Sequence, residues 1–161
     1  MASSTPVVRQ VAWLSILPQL MLMAILIALA YWAGTESYIF AGAIAYLVIA
    51  MALRRLIPQD HRAGISLARR QQFAQALPCF ERSYDFFCRH RWLDDWRYIT
   101  MCSSSRISYR EMSLLGAAYC HGQLGDGGKA RDCYQRTLKE FPGSQMAEQA
   151  LKMFDAAKEA L

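Results

Sequence analysis

Apart from Arg9 and Glu36, the first 53 residues carry no formal side-chain charge, and this constrains the chain more than any other feature. Val11–Trp32 is a mostly apolar run of 22 residues, about 33 Å long as a helix and enough for a hydrocarbon core of roughly 30 Å. A second uncharged run follows from Ser37, with Tyr38–Leu53 as its apolar part. Sixteen residues reach only about 24 Å, but Arg54 and Arg55 can lift their guanidinium groups to the interface and extend the span to Ile57. The five residues between the runs, Ala33-Gly34-Thr35-Glu36-Ser37, suit a tight turn. Trp13, Trp32 and Tyr38 fall near the membrane–water boundaries, where amphipathic rings settle. These features predict a transmembrane helical hairpin of spans 11–32 and 38–57.

Two other uses of such a stretch are disfavoured. A domain this small cannot bury two helices that are apolar on every face. Ala28-Leu29-Ala30 fits a signal-peptide cleavage pattern, but only one arginine precedes the run, the run is too long, and a second span follows at once. Arg9 precedes the first span and Arg54, Arg55 and Arg62 follow the second, while the turn holds only Glu36. Excess Lys and Arg marks the cytoplasmic side, so an integral membrane protein with both termini cytoplasmic is expected. Pro18 and Gln19 predict a kink in span one. Ala41, Gly42 and Ala45 put small residues on one face of span two, either for packing within the hairpin or for docking into a larger membrane complex.

The remaining 29 of 31 charged side chains lie in residues 54–161, an ordinary density for a water-compatible domain. Residues 58–161 show three- and four-residue apolar spacing and no convincing strand, so the fold class is all-α. Helices are expected near 60–73, 74–89, 92–102, 107–123, 128–140 and 144–160. The five cysteines (79, 88, 102, 120 and 133) all lie here. Their odd number and irregular spacing fit a reducing compartment and free, buried thiols.

Within Glu111–Ser144, Leu114, Ala117, Ala118 and His121 sit at packing positions of one helix. Gly125 falls in a turn, Ala130, Tyr134 and Thr137 pack a second helix, and Pro142 ends it. This 34-residue segment resembles a tetratricopeptide repeat. It departs from the pattern at Ala118, His121 and Thr137. Residues 57–90 resemble a weaker copy, through Gly64, Leu67, Phe73, Ala76, Phe80 and Ser83, with Cys88 where the motif has proline. Ala76 and Ala130 are 54 residues apart, so about 20 residues are inserted beyond one repeat length. The insertion 91–110 holds Trp92, Trp96 and Tyr98, for which core filling is the ordinary role. A partner-binding ledge and a seat at the membrane interface are the alternatives. Gln145–Leu161 keeps one apolar face, as a capping helix of a short α-solenoid requires.

The resemblance implies a partner-binding groove lined by first helices. Its residues would be His61, Ile65 and Arg69 in the first copy and Met112, Leu115, Tyr119 and Gln123 in the second. Family members that clamp a terminal carboxylate use Lys and Asn in the groove. Leu115 and Tyr119 stand here instead, which suits a helix or extended peptide of a protein partner. With only two repeats, partner helices, self-association or the membrane would complete the packing.

Chemistry finds little support. Gly128-Lys129 is followed by Ala130 and lacks the hydroxyl of a phosphate loop. No paired-cysteine or zinc spacing occurs, and no nucleophile arrangement is recognisable. No metal, cofactor or enzymatic activity is expected. Net charge is +5, concentrated by Arg54, Arg55, Arg62, Arg69 and Arg70 with only Asp60 among them. This fits topology and attraction to anionic headgroups. Without a recognition-helix motif or a continuous basic stripe, nucleic acid is not an expected partner. The expected partners are the lipid bilayer and proteins, including subunits of a membrane complex. The expected function is a membrane-anchored adaptor or accessory subunit, the alternative being a structural small subunit held mainly by its hairpin.

Overall fold

The computed structural model describes residues 16–97, 105 and 107–159. The regular elements among them are all helices: α1 (Ile16–Trp32), α2 (Tyr38–Leu56), α3 (Gln59–Arg69), α4 (Phe73–Arg89), α5 (Arg91–Asp95), α6 (Tyr109–Gln123), α7 (Gly127–Glu140) and α8 (Gln145–Glu159). The chain divides into two compact units. One holds α1 and α2 and takes in the described residues from Asp95 to Ser105. The other holds α3, α4 and α6 to α8, with α5 up to Asp94.

In the first unit α1 and α2 form an antiparallel pair. Tyr31 and Tyr38 meet edge to face across the turn, with ring centroids 5.3 Å apart. Farther along, a Cβ on Gly42 would lie 2.6 Å from the Cα of Ile27. The absent side chain at Gly42 therefore sets how closely the backbones approach. Gly34, at φ +72°, closes α1. The Gly34 amide donates to the Tyr31 carbonyl and the Thr35 amide to the Ala30 carbonyl, which satisfies two acceptors at the helix end. The outward faces are apolar: Ile25, Leu29, Phe40, Ile44, Leu47 and Val48 are all more than half exposed. By length and composition α2 can cross a membrane, and little of it is buried within the protein. The described part of α1, 17 residues, is shorter than a span. Residues 11–15, with Trp13, lie outside the described residues.

In the second unit successive helices pack on one another: α3 on α4, α4 on α6, α6 on α7 and α7 on α8. Helices α3 and α6 also touch. The core stripe of α4 is Ala76, Cys79, Phe80, Ser83 and Phe87, an i, i+3, i+4, i+7 pattern that puts one face inward. Ala76, Phe80, Ala117 and Cys120 form the central apolar cluster, with Ile65, Leu67, Phe73 and Leu77 packed around it. Phe80 lies against two helix glycines. A Cβ on Gly64 would stand 3.0 Å from its ring and one on Gly116 2.7 Å. On the surface Tyr84 links α4 to α7. Its hydroxyl donates to Glu140 at 2.6 Å and accepts from Arg136 at 3.0 Å, and the Arg136 guanidinium lies 4.6 Å from the ring centre.

The helix expected over 60–73 ends earlier, at Arg69. Gln71 adopts φ +60°, and the Gln71 and Gln72 amides donate to the Ala68 and Leu67 carbonyls. The helix expected over 92–102 is, in its described part, the short α5; Tyr98, Cys102, Ser103 and Ser104 lie outside the described residues. Trp92 and Trp96 are about three-fifths exposed, so they do not fill the core. Burial in that segment goes to Asp94 instead. Among the described cysteines Cys79 and Cys120 are buried, but Cys88 is exposed. Cys88 follows the buried Phe87, and one residue along a helix turns a side chain about 100° away from its neighbour.

Candidate partner-binding surface

The surface expected to receive a partner belongs to α3 and α6. On α3 Ile65 is half-buried and Arg69 exposed. On α6 Met112 and Leu115 are half-buried, Tyr119 is about half exposed and Gln123 is exposed. Met112, Leu115 and Tyr119 stand at i, i+3 and i+7, so they share one stripe of the helix. The Tyr119 ring meets Phe73, the first residue of α4, edge to face at 5.8 Å. This contact holds the aromatic upright while leaving its outer face open. Beside Ile65 the surface of α3 sinks into an open depression lined also by Arg62, Ser66, Arg69 and Arg70.

His61 departs from the expected groove. It is only 5% exposed and lies edge to face against Phe80 at 5.7 Å and Tyr109 at 5.4 Å. Its Nδ1 stands 3.4 Å from the Ser113 hydroxyl, which in turn lies 2.8 Å from the Ser83 hydroxyl. Burial pushes the His61 imidazolium pKa down to about 4, although the charge of Asp94 pulls the other way. The neutral ring is thus a packing element beneath the α3–α6 face. A serine beside a histidine is the geometry of an activated nucleophile. Here Ser83 and Ser113 are themselves buried, which withdraws both hydroxyls from any substrate.

Asp94 is the second buried polar centre. Its carboxylate accepts the Tyr109 amide at 2.8 Å and the Arg110 amide at 3.2 Å, and it pairs with the Arg110 Nε at 3.1 Å. The Ser108 hydroxyl accepts the Glu111 amide at 3.1 Å. Three of the otherwise unsatisfied amides that open α6 are therefore satisfied, two of them by a full negative charge at the positive end of the helix dipole. Met112, Leu115 and Tyr119 follow directly on this anchored end. Sequence reasoning passed over Asp94. Ser108-x-x-Glu111, a helix-start signature, was the available clue to the cap beside it.

No family model matches the sequence, and no curated protein or solved structure is significantly similar to it. The resemblance to a tetratricopeptide repeat therefore rests on the sequence motif alone. Among the described residues no three His, Cys, Asp or Glu side chains come together to hold a metal ion. The small-residue stripe of α2 is turned inward at its centre: Gly42 is buried against Ile27, and Ala41 and Ala45 are half-buried. The Gly42 position is thus occupied by α1 and is not open to helices of another subunit.

Proposed function

We propose that this chain is a membrane-anchored adaptor that binds a protein partner through a short tetratricopeptide-like helical unit. The observation that carries the reading is the register between two helical hairpins. Ala76 and Ala130 are fully buried, and Ser83 and Thr137 are buried one turn pair further on. Each member of a pair lies 54 residues from its counterpart. The turns match as well, with left-handed Gln71 in one and Gly125 in the other. Such a repeat presents its first helices, α3 and α6, side by side, and the open half of Tyr119 suits an apolar or aromatic residue of a partner. The exposed apolar faces of α1 and α2 support their placement in a bilayer as a two-span anchor, with both termini in the cytoplasm.

The test is site-specific photocrosslinking in native membranes, with the crosslinker at Leu115 or Tyr119. A single stoichiometric protein captured there, and lost on Leu115→Asp with Tyr119→Asp while membrane insertion persists, is the expected outcome. Unchanged capture by the folded double variant would exclude the groove. A second reading, a structural small subunit held by its hairpin, is favoured by the outward apolar face of α2. It requires that crosslinkers at Phe40 or Leu47 capture integral membrane subunits while the groove variant changes nothing.

A further inference from the structure

We propose that the depression on α3 is a binding site for the phosphate of an anionic phospholipid headgroup, held by Arg62, Arg69 and Arg70. The inference rests on the membrane placement of α2 proposed above, and turns the diffuse headgroup attraction expected of the basic cluster into a defined site on α3. Arg62, Ile65, Ser66, Arg69 and Arg70 line the depression, and 62, 65/66 and 69 recur at the spacing that keeps them on one helix face. Three guanidinium groups with a hydroxyl between them make a donor set for phosphate oxygens, which arginine can meet bidentately.

Pairing distinguishes these arginines from four others in the unit. Arg82 pairs with Asp60, Arg110 with Asp94, Arg131 with Asp155 and Arg136 with Glu140. Among the described residues no acidic side chain pairs with Arg62, Arg69 or Arg70. Asp60 is the one acid between Arg54 and Arg70, and it is engaged by Arg82 at 3.1 Å. The positive charge of the depression is therefore left to an external anion.

Chain connectivity selects the source of that anion. Helix α2 ends at Leu56 and α3 begins at Gln59. Arg62 is six residues beyond Leu56, which limits their Cα separation to about 20 Å in any arrangement. Arg69 is seven helical residues further, about 10 Å along the axis. The chain thus holds the depression within about 30 Å of the end of α2 in any arrangement, which keeps a phosphate-bearing surface locally concentrated around it.

The experiment uses the full chain in neutral detergent. Native mass spectrometry follows retention of phosphatidylserine against phosphatidylcholine of the same acyl chains. Two variants of equal charge change are compared, R62Q/R69Q and R89Q/K139Q, the second removing exposed cations elsewhere in the unit. Loss of two headgroup contacts should weaken phosphatidylserine retention by about tenfold or more in R62Q/R69Q, with R89Q/K139Q unchanged. Equal loss in both variants would mean diffuse attraction and would overturn the site, as would absence of any headgroup preference in the wild type. Displacement of the lipid by millimolar inorganic phosphate, with equal affinity, would overturn the lipid as source. Alkaline extraction of membranes tests the underlying placement separately. A chain released by high pH defeats the membrane reading, whereas a retained chain without headgroup preference defeats only this site.

Discussion

Gln71 and Gly125 hold the same place in two successive hairpins: each closes the first helix in a left-handed conformation, at φ +60° and +81°. The hydrogen bonds agree as well. The Gln72 amide donates to the Leu67 carbonyl as the Asp126 amide donates to the His121 carbonyl. Glycine adopts this conformation without steric cost and glutamine does not. Gln71→Gly is therefore expected to stabilise the chain by about 1 kcal/mol, and Gly125→Ala to destabilise it by a similar amount. Thermal unfolding of the full chain in neutral detergent, followed by circular dichroism, checks both. A Gln71→Gly variant that melts lower would show that the turn is held by the glutamine side chain instead.

Gly116 gives the sharpest packing prediction. Alanine in a helix interior ordinarily gains about 1 kcal/mol over glycine. Here the added Cβ would meet the Phe80 ring at 2.7 Å. The ring has little room to retreat, because Phe80 is buried and Gly64 confines it as well. Overpacking of this kind costs about 1–3 kcal/mol, so Gly116→Ala should be net destabilising. Adding Phe80→Leu should recover part of the loss. Denaturant titration of the single and double variants decides it, and an unchanged midpoint for Gly116→Ala would mean the ring moves aside cheaply.

The burial of Ala76 and Ala130 was legible because small residues where helices cross are a local signature, and both are fully buried. The residues expected to line a groove do not all share one exposed surface. His61, Ile65 and Arg69 step by four residues, and each step advances about 40° beyond a full turn. The stripe therefore drifts around α3, from buried His61 through half-buried Ile65 to exposed Arg69. Asp94 could not be read at all. Its partners Tyr109 and Arg110 lie 15 and 16 residues away, and only the return of the chain to the start of α6 brings them together. The aromatic segment misled for the same reason, since Trp92 and Trp96 look like core residues until Asp94 is seen to take the inward position.

Asp94→Asn should cost about 3 kcal/mol or more. The substitution puts an amide in place of a carboxylate that meets three donors, and it leaves the nearly buried Arg110 guanidinium without its counter-charge. Arg110→Met, which removes the cation and keeps much of the stem, should cost less. Hydrogen exchange offers a local readout, with the amides of Tyr109 and Arg110 losing protection first in Asp94→Asn. Equal destabilisation by the two substitutions would indicate that the helix-end amides carry little of the effect.

The buried imidazole of His61 makes stability fall on mild acidification. Its pKa is pushed down from 6.5 to about 4 by burial, so between those values the unfolded chain binds a proton that the folded chain refuses. The contribution is fully present above pH 6.5, declines as pH falls, and is exhausted below about pH 4. Integrated over that window it amounts to about 3 kcal/mol. Carboxylates act at lower pH: Glu148 and Asp126, held below their ordinary 4.5 and 3.8 by hydrogen bonds from Lys152 and Lys129, lose their contributions only as pH falls from those values. Both are exposed and weakly stabilising, so the loss between pH 6.5 and 5 belongs chiefly to His61. His61→Leu keeps the apolar contacts with Phe80 and leaves Ser113 its bond to Ser83 at 2.8 Å. Melting temperatures measured at intervals from pH 7.5 to 4.5 should fall more steeply below pH 6.5 for wild type than for His61→Leu, so that the gap between the two curves changes with pH. Parallel curves across that range would show that the ring is protonated in the folded protein without penalty, and the packing role assigned to it would fall.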